Sequence, residues 1–154
     1  MPIGFDESQT MTRAEIIATL ENALPAACEG LNVVAAYLFG SWARGESRDD
    51  SDVDIGFFLP RKDPAIGKYT PPDVVLEQRL SRNTSLPLEV HLLNQAPLAI
   101  TGRVMEEGVL VYCGDEAARV RLEVAIRGQY LGFKPAIEEL HRVRLKAFAD
   151  KGLL

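Results

Sequence analysis

The chain has 154 residues, 47% of them hydrophobic and 25% charged, with a formal net charge of −5. Such a length fits one domain with enough apolar residues to bury a core, and the composition excludes a disordered chain. The acidic balance offers no Lys/Arg cluster for a long nucleic acid, and no stretch is long and apolar enough to span a bilayer, so neither partner is expected.

The opening segment, "MPIGFDESQTMTRAE", has neither a basic start nor a sustained apolar run, and a signal peptide is not expected. Cys28 and Cys113 are the two cysteines, far apart and without metal-type spacing. They read as small apolar residues in a reducing, cytoplasmic protein.

The first predicted helix opens where Thr12 can cap and Glu15 can close a capping box. Ile16, Ile17, Leu20, Leu24 and Ala27 recur at helical spacing, and Gly30 ends the element. "NVVAAYLFG" (32–40) and "VDIGFFL" (53–59) are apolar almost throughout, which predicts strands covered on both faces. A turn-rich segment with Gly45, Ser47, Asp49 and Asp50 separates them. Four prolines and one glycine make 60–72 a loop, the piece expected to move or to touch a partner.

Asp73 begins a helix over 73–83, and "LPLEVHLLN" (86–94) is a third strand. Asn94 is expected to cap a helix that turns Leu98 and Val104 inward and stops at Gly108, before a short strand at "VLVY". From Asp115 onward the pattern is helical, with a break expected near "GFKP" (132–135). Helices alternating with buried strands predict an α/β layer structure.

Asp52 and Asp54 stand at the mouth of the second strand, where residues two apart share a face and lie about 6–7 Å from each other. Two like charges at about 4 Å repel by about 4 kcal/mol at an effective dielectric of about 20, a conflict that a bound divalent cation removes. Carboxylate oxygens with no Cys or His beside them suit Mg²⁺ better than zinc. The plainer alternative is a turn in which Asp52 caps the strand end.

Upstream, Gly40-Ser41 directly follows a buried strand, and a turn of that kind exposes backbone N–H groups that can hold phosphate oxygens. Glu89 is the single carboxylate of the third strand, a position that is costly unless the acid is paired, metal-bound or turned to water at an edge. His91 shares its face, either orienting a ligand or standing as a polar neighbour.

"GSWARGESRDDSDVD" (40–54) resembles the signature of the minimal nucleotidyltransferases of the polymerase-beta-like superfamily: Gly-Ser, ten residues, then Asp-x-Asp. The likeness continues through "LEVHLLNQAP" and "VMEEGVLVYCGDEAARV" and covers most of the chain from about residue 15. The family's third acid is usually aspartate, where this chain has Glu89.

The resemblance implies an α+β nucleotidyltransferase fold, a small mixed sheet of three to five strands packed with helices. It implies a single domain over residues 1–154, with C-terminal helices from about residue 115. Gly40 and Ser41 would hold the phosphates of ATP. Asp52, Asp54 and Glu89 would be both the catalytic acids and the ligands of Mg²⁺, as two ions, with Glu89 at the ion that activates the attacking hydroxyl. Arg44, one turn beyond Ser41, would neutralise triphosphate charge or else pair with Asp49 or Asp50.

Small members of this kind are similar to the antitoxin half of HEPN/MNT toxin–antitoxin pairs. That implies transfer of AMP from ATP to a tyrosine hydroxyl of a cognate HEPN ribonuclease toxin, which is substrate and partner at once. One alternative is an antibiotic-type nucleotidyltransferase acting on a small hydroxylated acceptor. The other is a catalytically idle antitoxin that masks its toxin through a C-terminal stripe of Ile137, Leu140, Arg144, Leu145 and Phe148, although such a stripe is expected first of all to face a core. Trp42 is expected to anchor a short helix rather than to stack on a base. Tyr37, Tyr69, Tyr112 and Tyr130 are candidate acceptors for self-modification, and nothing in the sequence selects among them.

Overall fold

The computed structural model describes residues 11–46, 51–67 and 69–152. In chain order the elements are α1 (Arg13–Ala27), β1 (Ala35–Phe39), α2 (Ser41–Arg44), β2 (Val53–Phe58), α3 (Pro72–Asn83) and β3 (Leu88–Leu92). A 3₁₀ turn (Leu93–Gln95), α4 (Leu98–Glu107), β4 (Val109–Cys113) and α5 (Glu116–Asp150) complete the described chain. No helix among the described residues is long and apolar enough to cross a membrane.

The four strands form one mixed sheet in the order β3-β2-β1-β4. β1 runs antiparallel to both β2 and β4, whereas β2 and β3 are parallel. A parallel pair needs a crossover, and α3 supplies it. α1 begins as expected, with Thr12 Oγ1 accepting from the Glu15 amide at 3.1 Å, and it buries Ile16, Leu20, Leu24 and Ala27.

Strand alternation sends two sets of side chains to two cores, which is why these segments read as apolar throughout. Ala36, Leu38, Val53, Ile55 and Phe57 join α1 and Leu76 and Leu80 of α3 on one face. Ala35, Tyr37 and Phe58 meet Val104 and Met105 of α4 and Ile126 of α5 on the other. Asp54 lies on this second face, beyond the part that the helices cover.

Three expectations are corrected. Asn94 does not cap α4, whose N-cap position is Pro97. Its side-chain amide instead grips Leu59: Oδ1 accepts from the Leu59 N–H at 2.9 Å, and Nδ2 donates to the Leu59 carbonyl at 2.8 Å, which ties the end of β2 to the end of β3. The break near 132–135 is absent, and α5 passes through Pro135. A proline inside a helix frees the carbonyl four residues back; that residue, Leu131, is 69% exposed, so water can serve the freed group. The C-terminal stripe does not enter a core: Leu140, Leu145 and Phe148 are 53%, 46% and 49% exposed, because no element among the described residues covers them.

α4 and α5 meet where Gly102 lies under the buried ring of Tyr130, so that a Cβ at Gly102 would fall inside the ring. Gly102→Ala is therefore expected to lower unfolding stability by about 1–3 kcal/mol, read from the urea midpoint. The cysteines separate cleanly: burial pushes the Cys28 thiol up to about 12, whereas Cys113 is exposed. Iodoacetamide at pH 8 is expected to alkylate Cys113 in the native protein and Cys28 only after denaturation, as peptide mass mapping will show.

Candidate active site

Parallel pairing sets Asp54 of β2 directly beside Glu89 of β3. Facing neighbours in adjacent strands project to the same side, so the two acids meet. His91, two residues beyond Glu89, returns to that side. Its Nε2 lies 3.5 Å from Glu89 Oε1 and 3.9 Å from Asp54 Oδ1. One ligand atom from each of Asp54, Glu89 and His91 lies within 4.8 Å of the others. The His91 ring is steadied by an edge contact with Phe39, 5.7 Å between ring centres.

The surroundings push the Asp54 carboxyl above its ordinary range. Burial is the main cause and the neighbouring charge of Glu89 the next, while His91 pulls the other way and Asp52 adds a smaller push. Asp52 is exposed, immediately before β2, and stands outside the tight group, although its charge reaches Asp54. The structure thus brings together two of the three expected acids, leaves Asp52 at the open end, and adds His91. The two-residue period from Glu89 is the signal that pointed to the histidine.

The Gly-Ser turn closes the site from β1. Phe39, the last residue of β1, pairs with Asp54, and the chain then turns through Gly40 at φ 74° and ψ −154°. This backbone region is open essentially to glycine alone. A Cβ at Gly40 would also fall on Asp54 Oδ2. Glycine is therefore required twice over, and it lets the turn lie against the acid. Ser41 begins α2, and Trp42 behind it is buried in the core with Nε1 donating to the Ser51 carbonyl at 3.2 Å. Trp42 is the anchor of the short helix.

Arg44 reaches Glu46 Oε2 at 3.1 Å through Nε and Glu107 Oε2 at 3.4 Å through a terminal nitrogen. Its expected alternative partners, Asp49 and Asp50, lie outside the described residues. Half-exposed ion pairs of this sort contribute roughly 0–1 kcal/mol, so the guanidinium can exchange partners at little cost. A cleft of about 370 Å³, lined by Gly67, Pro71, Pro72, Asp73, His91 and Gln95 among others, adjoins the acids through His91. The proline-rich loop supplies one wall of it. Of the tyrosines, Tyr37 is buried with its hydroxyl donating to Glu123 at 2.7 Å, and Tyr69 is fully exposed.

The chain is similar in fold to several solved structures. A toxin–antitoxin bound to AMP-PNP matches with a TM-score of 0.61 at 18% identity, over 81% of this chain and 98% of that one. A tri-AMPylated Shewanella oneidensis HEPN toxin in complex with an MNT antitoxin matches with a TM-score of 0.59 at 16% identity, over 84% and 98%. A mutant MntA–HpeT toxin–antitoxin matches with a TM-score of 0.57 at 17% identity, over 88% and 99%. No curated protein matches the chain in sequence. The family described as "Polymerase beta, Nucleotidyltransferase" matches residues 15–117, a span that holds the Gly-Ser turn and all three acids. With that match over most of its length and the fold to go with it, the chain belongs to the polymerase-beta family of nucleotidyltransferases.

Proposed function

We propose that this nucleotidyltransferase transfers AMP from ATP to a tyrosine hydroxyl of a cognate HEPN toxin in the cytoplasm and so acts as its antitoxin. One observation carries the reading: Asp54 faces Glu89 and lies directly against the Gly40 turn, so the acids and a turn able to hold phosphate share one corner of the sheet. The similarity to a complex of an MNT antitoxin with a tri-AMPylated HEPN toxin supports this acceptor.

The donor set fits divalent cations. Two carboxylates in contact, one of them pushed above its ordinary range by burial and by its neighbour's charge, constitute a site short of positive charge. In this reading Asp52, Asp54 and Glu89 hold Mg²⁺, as two ions. When bound, a divalent cation there supplies charge neutralisation at the phosphates and a lowered pKa for the attacking hydroxyl.

The rest falls to the chain's own groups. The N–H groups of the Gly40-Ser41 turn receive the triphosphate, and Arg44 releases Glu46 or Glu107 to meet it. The acceptor hydroxyl enters by the cleft beside His91, and Glu89 takes its proton. The oxygen then attacks the α-phosphorus, the bond to the β-phosphate breaks, and pyrophosphate leaves. Positioning and charge stabilisation supply the acceleration, as is usual for phosphoryl chemistry.

The protein incubated with [α-³²P]ATP, Mg²⁺ and the HEPN protein encoded beside it is expected to label that protein, and the Asp52→Ala variant is not. Equal labelling by both would overturn the reading. The exposed stripe of Leu140, Leu145 and Phe148 favours a second one, inhibition by masking. Full neutralisation of the toxin in cells by an Asp52→Ala, Asp54→Ala double variant would establish masking in place of chemistry.

A further inference from the structure

The tight group at the site consists of two acids and an imidazole, whereas the family pattern calls for three acids. The imidazole is well placed. Its Nε2 faces both carboxylates, at 3.5 Å from Glu89 and 3.9 Å from Asp54, and Phe39 packs against its ring from the side. Around an octahedral ion with bonds of about 2.1–2.2 Å, adjacent donors lie about 3 Å apart and opposite donors about 4.3 Å apart. Both observed separations fall between those limits, so a single ion can be shared by the three side chains after small rotations. Asp52 is outside the group and remains free for a second, nucleotide-borne ion.

Donor chemistry then discriminates between ions. Mg²⁺ takes oxygen donors and keeps its waters, whereas first-row transition ions also accept imidazole nitrogen, Mn²⁺ being the one among them that still favours carboxylates. We propose that His91 Nε2 is a protein ligand of the cation held between Asp54 and Glu89, and that this position takes a first-row transition ion such as Mn²⁺ in preference to Mg²⁺. The inference rests on the reading that these acids hold a cation at all, and its test separates the two.

The probe is Mn²⁺ alone, added to the full-length protein and followed by pulsed electron paramagnetic resonance. Coupling to a directly bound ¹⁴N is expected, and selective ¹⁵N-histidine labelling should replace it with the ¹⁵N pattern without any substitution. The chain has two histidines. His141→Gln should keep the signal and His91→Gln should lose it. Titration of the Mn²⁺ form with Mg²⁺ should show a preference for Mn²⁺ that falls at least about tenfold in His91→Gln, since even supporting residues of metal sites are worth about 10–100-fold in affinity. Mn²⁺ that binds without nitrogen coupling, or a preference that His91→Gln leaves unchanged, would overturn the inference and leave the catalytic reading standing. Absence of binding by either ion would overturn both.

Discussion

Asp54→Asn is expected to slow nucleotidyl transfer by roughly 10²–10³-fold or more and, in the presence of EDTA, to raise the melting temperature. The rate loss follows from the removal of one preorganised charge at the reacting phosphate, a change that typically has this magnitude. The gain in stability follows from the resting electrostatics. Burial and Glu89 hold the Asp54 carboxyl above its ordinary range, so folding disfavours the ionised form. A carboxyl with a raised folded-state pKa weakens the fold at neutral pH, and the penalty fades as the pH falls through that value. Asparagine carries no such penalty. Its advantage should therefore be largest near pH 7 and shrink on acidification. Mg²⁺ or Mn²⁺ should reverse the order, because an ion that binds only the folded state stabilises the wild type more than a variant that has lost one of its carboxylate ligands. A variant less stable than the wild type in EDTA, or one that turns over within tenfold of it, would contradict this account.

Legibility in the sequence followed the range of the interactions. Local features were readable: Thr12 and Glu15 sit three residues apart, and the cap they announce forms. The period of two placed Glu89 with His91. What it could not supply was which strand lies next to which. The parallel β2–β3 pairing is set by the α3 crossover, and that pairing brings Asp54 to Glu89 and makes His91 a member of the group.

Asp52 shows the limit of periodicity, since β2 begins at Val53 and the residue before it is free to splay outward. Asn94 has its partner, Leu59, 35 residues away, which leaves no local trace in the sequence. The stripe on α5 was visible as a period of apolar residues, but a period says nothing about whether another element arrives to cover it. Pro135 marks a kink or a break in the sequence, but a helix can continue through a proline when its freed carbonyl finds another partner, and α5 does continue.

Gly40→Ala is expected to lower transfer by about 10²-fold or more and to destabilise the fold by about 1–3 kcal/mol, the usual cost of forcing a side chain into a region reserved for glycine. Gly45 provides the contrast. It too has a positive φ, 73°, at the other end of α2, but a Cβ there meets nothing within 4 Å. Gly45→Ala should therefore show only conformational strain, of about 1–2 kcal/mol, and retain activity. At Gly40 the new methyl group would contest the space of Asp54 Oδ2, so strain and displacement of the acid act together. A double-mutant cycle separates them: in an Asp54→Ala background the contested atom is gone, and the stability cost of Gly40→Ala should shrink toward that of Gly45→Ala. Urea midpoints for the four proteins of the cycle and for Gly45→Ala, with labelled-ATP turnover for the two glycine variants, make the comparison. Equal costs in both backgrounds would mean that the turn and the acid are not in contact, and would remove the steric reason for glycine at the head of the motif.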